Sequence, residues 1–244
     1  MDRRIDRREY RIRFITGSQH LYGEETLKQV AANSRAVVDA LNASGEIPQP
    51  IVWQPTVTTQ AEVTAAIVAA NGDPECAGVI FWMHTFSPAK MWINGLKLLQ
   101  KPMLHWNTQA NRDIPWGTID MDFMNLNQAA HGDREFGFIC TRLGIARKVV
   151  NGFCGDPEVR ARIAAWVRAA TAWHDSQTMR IARFGDNMRE VAVTEGNKVT
   201  AQIAFGYAVD GYGVGDLTAV IREVSDAEVE ELLREYRDLY VIPD

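Results

Sequence analysis

The run Gly78-Val79-Ile80-Phe81-Trp82-Met83 is continuously hydrophobic. Strands that face water on one side alternate apolar and polar residues, whereas an unbroken apolar run is typical of a parallel strand covered on both faces. A helical pattern follows at residues 88–100. The run therefore predicts the central strand of a parallel sheet in an α/β fold.

Strand and helix patterns alternate on both sides of this run. Apolar residues recur at helical spacing after Gly23 and after Thr59-Gln60-Ala61-Glu62, a capping-box match, and Asp156-Pro157 suits the start of a further helix. Right-handed crossovers leave few topologies, so we predict a doubly wound, flavodoxin- or Rossmann-like sheet with strand order 2-1-3-4-5. The strands are predicted at residues 10–16, 49–54, 78–83, 103–106 and 148–153, and the later helices at 88–100, 121–142 and 157–173.

The last part of the chain has a different pattern. We predict an N-terminal domain at residues 1–178 and part of a small second α/β domain at 179–244. A strand is predicted at residues 181–184, and a hairpin at 191–194 and 198–207 about Glu195-Gly196-Asn197. We interpret Gly211, Gly213 and Gly215 as a turn, and Ser225-Asp226-Ala227-Glu228 as the capping box of a final helix that extends to about Tyr240.

Composition excludes several classes of protein. The formal net charge is -5 and no sustained basic run occurs, which argues against nucleic acid as a partner. No apolar run approaches the roughly 18 residues of a membrane helix, and the start lacks a secretory signal, so we expect a cytoplasmic protein. The three cysteines lack a CxxC spacing, which favours reduced thiols over a disulfide frame or a zinc site.

Uncharged polar residues follow the first, third and fourth predicted strands. In a doubly wound sheet the carboxyl ends of the strands near the switch point bind ligands. Hydrogen-bonding groups beside aromatic rings suit a neutral polyhydroxylated ligand, although the same groups could cap helices or line a subunit contact. The GxGxxG spacing of a dinucleotide site is absent. The polar residues are Ser18, Gln19, His20, His84, Thr85, Ser87, Asn107, Thr108 and Gln109.

The five histidines show no HxxxH or HExxH spacing and no carboxylate–histidine pattern, so spacing alone predicts no metal centre. For a lone histidine a structural role is the more frequent one. No GxSxG elbow is present, and no cysteine has a nearby predicted base. The residues alone therefore identify no catalytic group.

Several long segments resemble L-arabinose isomerases. The match extends over nearly the whole chain and corresponds to the N-terminal domain and part of the central domain of that family. It implies interconversion of an aldose and its 2-ketose, typically L-arabinose and L-ribulose, with D-galactose to D-tagatose as a side activity. The segments are GSQHLYG at 17–23, WMHTFSPAKMW at 82–92, MDFMNLNQ at 121–128, AHG at 130–132, REFGF at 134–138 and RFGDNMREVA at 183–192.

The resemblance also implies roles for particular residues. Gln19, Leu21, Phe86 and Met188 match substrate-lining positions of the family. Gln128 and His131 match positions that reach into a neighbouring subunit's active site, which implies a homo-oligomer. The family uses a divalent ion, usually Mn²⁺, bound by two glutamates and two histidines. All four ligands belong to the part of the family pattern that follows position 244, so we assign no metal ligand and no catalytic residue here.

Three functions remain open at this stage. The chain could be a shortened isomerase that keeps the family activity through an unusual metal site, perhaps across subunits. It could be a non-catalytic sugar-binding or assembly module. A nucleotide-binding regulator could also use the same fold. An isomerase assay with and without Mn²⁺ separates the first two.

Overall fold

The computed structural model describes residues 9–242. They divide into two compact units between Asp175 and Ser176. Residues 1–8 of the first predicted domain and residues 243–244 of the second lie outside the described range.

The first unit is built on a five-stranded parallel sheet, as predicted. Its order is β2-β1-β3-β4-β5, which confirms the predicted 2-1-3-4-5 topology. All seven residues of the central strand are buried, in agreement with its unbroken apolar sequence. The strands are β1 Arg11–Thr16, β2 Ile51–Trp53, β3 Cys76–Trp82, β4 Met103–Asn107 and β5 Lys148–Asn151.

Helices cover both faces of this sheet. The predicted capping box of α2 is present: the Thr59 side chain accepts from the Glu62 amide, and Glu62 bonds back to the Thr59 amide. Hydrogen bonds, first that from the Thr58 amide, hold the pKa of Glu62 below its usual value. The helices are α1 Gly23–Ala43, α2 Gln60–Gly72, α3 Ile93–Leu96, α4 Met121–Leu126, α5 Ala129–Arg142 and α6 Pro157–Ser176, with 3₁₀ turns at His20–Tyr22 and Ala89–Trp92.

Two of the predicted helices are shorter than their patterns indicated. The helix expected at 88–100 is a 3₁₀ turn followed by one turn of α3, because Gly95 packs closely on α2 and glycine is a poor helix former. A Cβ at Gly95 would lie 2.9 Å from side-chain atoms of both Val63 and Ile67. The helix expected at 121–142 breaks into α4 and α5 at Asn127, whose side chain donates to the Phe123 carbonyl.

The hydrophobic core lies in two layers, one on each face of the sheet. Successive residues of β3 alternate between the layers, as strand geometry requires. Aromatic rings meet edge to face or tilted within each layer, with Phe14 6.1 Å from both Trp82 and Trp106 on one face. On the other face the rings are those of Phe81, Trp92 and Phe136.

The second unit differs from its prediction. The expected hairpin is wrong: residues 198–205 form a helix that connects two parallel strands, and parallel strands need such a crossover. The Asn197 side chain caps this helix by accepting from the Thr200 amide, and Gly206 ends it with φ 88°. The elements are β6 Arg180–Phe184, α7 Lys198–Phe205, β7 Ala208–Tyr212, α8 Val214–Glu223 and α9 Asp226–Leu239.

The three glycines interpreted as a turn lie elsewhere. Gly211 is within β7, Gly213 is the N-cap of α8, and Gly215 lies inside that helix. The capping box at Ser225 is present and opens α9, which ends at Leu239 close to the predicted position. No residue between 176 and 242 is buried, so the second unit has no closed core within the described part of the chain.

The helices and the cysteines also bear on the class of protein. Within residues 9–242, no helix is long and apolar enough to cross a membrane. Cys76, Cys140 and Cys154 are all free and buried. Burial raises the pKa of the Cys140 thiol to about 11, which makes it a packing residue rather than a nucleophile.

Candidate functional site

The loops that follow β1 and β3 are joined at the carboxyl edge of the sheet. The hydroxyls of Ser18 and Thr85 lie 2.7 Å apart, and both side chains are fully buried. The Gly17 amide donates to the Trp82 carbonyl at 2.9 Å, which continues the strand pairing into the loop. A Cβ at Gly17 would lie 2.6 Å from Ser87 Oγ, so only glycine allows this approach.

His84 is buried in this edge as a neutral imidazole. Its ring stacks on Trp82 with centroids 4.3 Å apart. Gln29 donates to Asn33 Oδ1 at 2.8 Å, which turns the Asn33 amide nitrogen toward His84 Nε2, also at 2.8 Å. Nε2 therefore accepts, and the proton of the neutral ring is on Nδ1. Burial lowers the pKa of His84 to about 4.

Phe86 and His131 form the aromatic part of the same edge. Their ring centroids lie 6.0 Å apart at an interplanar angle of 72°. Phe86 is half-buried and His131, near the start of α5, is exposed. The neighbouring Gly132 lies against the loop: a Cβ there would be 2.8 Å from Met83 Cβ and 2.9 Å from the Thr85 carbonyl oxygen.

The segment after Gln19 reaches toward α4 and α5. Tyr22 donates to Gln128 Oε1 at 3.4 Å, and Gln128 Nε2 donates to Asn125 Oδ1 at 3.2 Å. Leu21 is 83% exposed. It borders a groove of about 630 Å³ that Tyr22 and two acids, Glu25 and Asp122, also line.

The loop after β4 lies beside the Phe86 loop. The Trp82 indole donates to the Thr108 carbonyl at 2.9 Å, and Gln109 donates to the Asn127 carbonyl at 3.2 Å. Gln109 Oε1 and Asn107 Oδ1 are buried without a hydrogen-bond partner. Both residues line a cavity of about 380 Å³ whose wall includes Asp133.

His105 and Asp133 make a buried pair beneath this cavity. His105 Nε2 lies 2.8 Å from Asp133 Oδ1, and both side chains are almost completely buried. Burial raises the pKa of Asp133 to about 6, and the hydrogen bond with His105 partly opposes that shift. The pair connects β4 to α5 and so helps to fix the helix that carries His131.

The structure places five of the six predicted sugar-contacting residues on one group of loops. Gln19 and Leu21 follow β1, Phe86 follows β3, and Gln128 and His131 lie at the start of α5. Among these five residues, the rings of Phe86 and His131 are in contact within one chain. The sixth, Met188, lies in the second unit after β6 and is 64% exposed. The roles of these residues remain predictions.

Two contributors to this edge were not singled out from the sequence. Asn33 holds His84 although the two are 51 residues apart, and Glu135 Oε2 accepts from the Ala89 amide at 2.8 Å. There was a weak indication for Asn33 in the sequence, because it lies between Val30 and Val37, two buried positions of the amphipathic helix α1. No sequence pattern indicated the role of Glu135.

Among residues 9–242, no three histidine, cysteine, aspartate or glutamate side chains come together in a way that could hold a metal ion. Two acids beside the loops after β3 and β4 have other partners: Asp133 pairs with His105, and Glu135 accepts from the Ala89 amide.

A doubly wound α/β domain with uncharged polar side chains and aromatic rings at its switch point defines a class of small-molecule-binding domain. The family follows from comparison with known proteins. Residues 6–178 match the L-arabinose isomerase N-terminal domain, and residues 180–244 match the L-arabinose isomerase central domain. The chain belongs to the L-arabinose isomerase family.

Individual relatives agree with this assignment. The chain is 61% identical over 235 residues to an L-arabinose isomerase of Geobacillus thermodenitrificans, covering 96% of this chain and 47% of that protein. It is 58% identical over 236 residues to one of Herpetosiphon aurantiacus, covering 97% and 47%. For one of Mycolicibacterium smegmatis the identity is 56% over 231 residues, covering 95% and 46%. The chain thus spans about half the length of the curated relatives it matches.

Proposed function

We propose that this chain binds a neutral sugar at the carboxyl edge of its sheet and contributes that wall to an aldose–ketose isomerase site. The substrate pair is L-arabinose and L-ribulose, with D-galactose and D-tagatose as a secondary pair. Family membership supports the reaction class. The observation that carries the sugar site is the Phe86–His131 contact beside the joined Ser18 and Thr85 loops.

The chemistry of the edge fits such a ligand. Phe86 presents an apolar ring face, which suits the C–H face of a sugar, and Gln19 and Gln128 present amides that both donate and accept. His131 is exposed, and its imidazole nitrogens can donate a hydrogen bond to a hydroxyl or accept one from it. Leu21 adds apolar surface at the mouth of the neighbouring groove.

The described residues do not fit a metal centre by themselves, since no three candidate ligands converge. We therefore assign sugar contacts to this part of the protein and assign no metal ligand to it. A divalent ion such as Mn²⁺, if the assembled enzyme uses one, is held by other residues. The proposal derives no proton-transfer step from the side chains present here.

The site also involves a second copy of the chain. Gln128 and His131 match family positions that serve a neighbouring subunit, and both lie at the exposed start of α5. Met121 and Met124 on the preceding α4 are 65% and 49% exposed and supply apolar area for such a contact. We propose a homo-oligomer formed around α4 and α5.

Calorimetric titration with L-arabinose tests the sugar site. Phe86→Ala removes the ring face, and we expect it to weaken sugar affinity by up to about tenfold, because a well-packed aromatic contact is worth on the order of 0.5–1.5 kcal/mol. Phe138→Ala is the control, since Phe138 is a phenylalanine of the same unit that is exposed and belongs to none of the loops. Equal affinity for all three proteins would contradict the site.

The second candidate function is a non-catalytic sugar-binding or assembly module. The absence of converging metal ligands within residues 9–242 favours it for this chain alone. The two candidates differ in turnover: both bind L-arabinose, but only an isomerase releases L-ribulose. A ketose assay on the same samples used for the titration distinguishes them.

A further inference from the structure

His20 lies between Gln19 and Leu21, two of the proposed sugar contacts, on the turn that follows β1. The turn is a 3₁₀ helix of three residues, His20–Tyr22, and the Gly23 amide closes it by donating to the His20 carbonyl. Helices of this kind have poor hydrogen-bond geometry and stay short. The backbone of the turn therefore does little by itself to fix the directions of the side chains on either side of His20.

A side-chain hydrogen bond anchors this turn to the segment that follows β2. Backbone pairing between the two segments reaches Ser18, whose amide donates to the Val57 carbonyl at 3.0 Å. One residue further along the second segment, the Thr58 hydroxyl lies 3.0 Å from His20 Nε2. Thr58 directly precedes Thr59, the N-cap of α2. The bond thus connects the turn to the start of a 13-residue helix.

The Glu62 carboxylate sets the direction of this bond. Its Oε2 accepts from the Thr58 amide at 2.7 Å and from the Thr58 hydroxyl at 2.9 Å. Hydrogen bonds, first that from the Thr58 amide, hold the pKa of Glu62 below its usual value, so at neutral pH the carboxylate only accepts. The single hydroxyl proton of Thr58 is therefore donated to Glu62, and Thr58 Oγ1 accepts from His20. In the neutral ring the proton of His20 is thus on Nε2, the opposite tautomer to that of His84.

Movement of this turn would displace two proposed sugar contacts together, because Gln19 and Leu21 are the covalent neighbours of His20. Leu21 is 83% exposed, so its side chain contributes little packing that would hold the turn. The other side-chain bond of the turn, from Tyr22 to Gln128 Oε1, is long at 3.4 Å. A loose turn has to be ordered when a ligand binds, and that ordering lowers affinity. An anchored turn avoids this cost.

We propose that His20 is a positioning residue for the sugar site. By donating from Nε2 to Thr58, which in turn donates to Glu62, it holds the turn after β1 in the conformation that presents Gln19 and Leu21 to the ligand. His20 acts through its two neighbours and needs no contact of its own with the sugar. This role rests on the proposed sugar site and adds to it a residue whose contribution is the order of the turn.

Calorimetric titration with L-arabinose tests this role with substitutions that keep or remove the Nε2 donor. His20→Phe keeps a ring but has no donor, and it should weaken sugar affinity about three- to tenfold, the effect of losing one ordinary hydrogen bond. His20→Gln places an amide nitrogen at about the reach of Nε2 and should restore most of the affinity. His20→Asn reaches only as far as Nδ1 and should not. Thr58→Val removes the acceptor and should resemble His20→Phe, with little further loss in the double variant.

His174→Phe is the matched control. His174 Nε2 also donates a hydrogen bond, at 2.8 Å to the Pro74 carbonyl, but His174 lies near the end of α6 and belongs to none of the loops after β1, β3 and β4. The control should bind L-arabinose like the parent protein. If His20→Phe does not fold by circular dichroism, Thr58→Val decides the matter, since it removes the same bond from the other side.

Nitrogen-15 spectra of the histidine rings at pH 8 test the direction of the bond without the sugar. We expect the signals of His20, assigned by their absence in His20→Phe, to show the proton on Nε2, and those of His84 to show it on Nδ1. A His20 proton on Nδ1 alone, equal losses in His20→Gln and His20→Phe, or unchanged affinity in every variant overturns the role of His20. A parent protein that binds no L-arabinose instead contradicts the proposed sugar site, and this role with it.

Discussion

The hydroxyl of Ser18 lies 2.7 Å from that of Thr85, and neither side chain reaches solvent. This single bond joins the loops after β1 and β3, which carry Gln19 and Phe86. Replacing one partner leaves the other hydroxyl buried without a partner, which costs about 1–3 kcal/mol.

We therefore expect Ser18→Ala and Thr85→Val each to lower the free energy of unfolding by that amount, and the double variant to lose less than the sum. Denaturant unfolding of the four proteins measures the coupling. Strict additivity would show that the two hydroxyls do not interact.

Gly132→Ala should destabilise the first unit by about 1–3 kcal/mol, because overpacking of a tight contact costs that much. The added methyl group would lie 2.9 Å from the Thr85 carbonyl oxygen, and backbone cannot move away cheaply. Gly72→Ala is the control: it also lies in a helix, but nothing is within 4 Å of its Cβ, so it should be neutral or stabilising. Thermal unfolding distinguishes the two, and equal effects would contradict the packing.

His84 makes stability depend on pH. Its pKa is about 4 in the folded protein and 6.5 in the unfolded chain, so between these values the unfolded state binds the additional proton. As far as His84 is concerned, the free energy of unfolding therefore has its full value above pH 6.5. It falls as the pH drops toward 4, by roughly 3 kcal/mol at most.

His84→Gln should flatten this part of the profile. The difference between parent and variant isolates His84, because the buried Asp133, whose raised pKa acts with the opposite sign, is present in both. Denaturant unfolding at pH 7, 6, 5 and 4 gives the curves. Parallel curves would show that His84 is not held neutral.

We expect this chain alone to convert L-arabinose to L-ribulose far more slowly than a complete family member, with or without added Mn²⁺. The reason is that proton transfer between adjacent carbons needs a positioned base and stabilisation of the enediolate, and we propose only sugar contacts for the side chains near Phe86. Mixing with a polypeptide that supplies the remaining half of a relative should restore activity. Robust, chelator-sensitive turnover by the chain alone, lost in His131→Ala but kept in His174→Ala, would refute the expectation.

The sequence predicted the first unit well because its signals are local and strong. A seven-residue strand buried on both faces, β3, cannot be mistaken for an amphipathic element. The second unit was predicted less accurately. Val199, Thr200 and Ile203 favour a strand, yet the Asn197 cap and the parallel pairing of β6 with β7 make the segment a helix.

The same distinction applies to the site. The loops after β1 and β3 could be located from topology alone, since any ligand edge lies at the switch point. The bonds that shape them could not, because Asn33–His84 and His105–Asp133 join residues 51 and 28 positions apart. Local periodicity contains no information about such pairs.

The loop that carries Phe86 is fixed to α5 at both of its ends. Gly132 lies under the Thr85 carbonyl, and Glu135 binds the Ala89 amide one turn farther along the same helix. The loop and the first turns of α5 are thus held together at two points. We therefore expect a neighbouring molecule that displaces the start of α5 to displace the Phe86 ring with it.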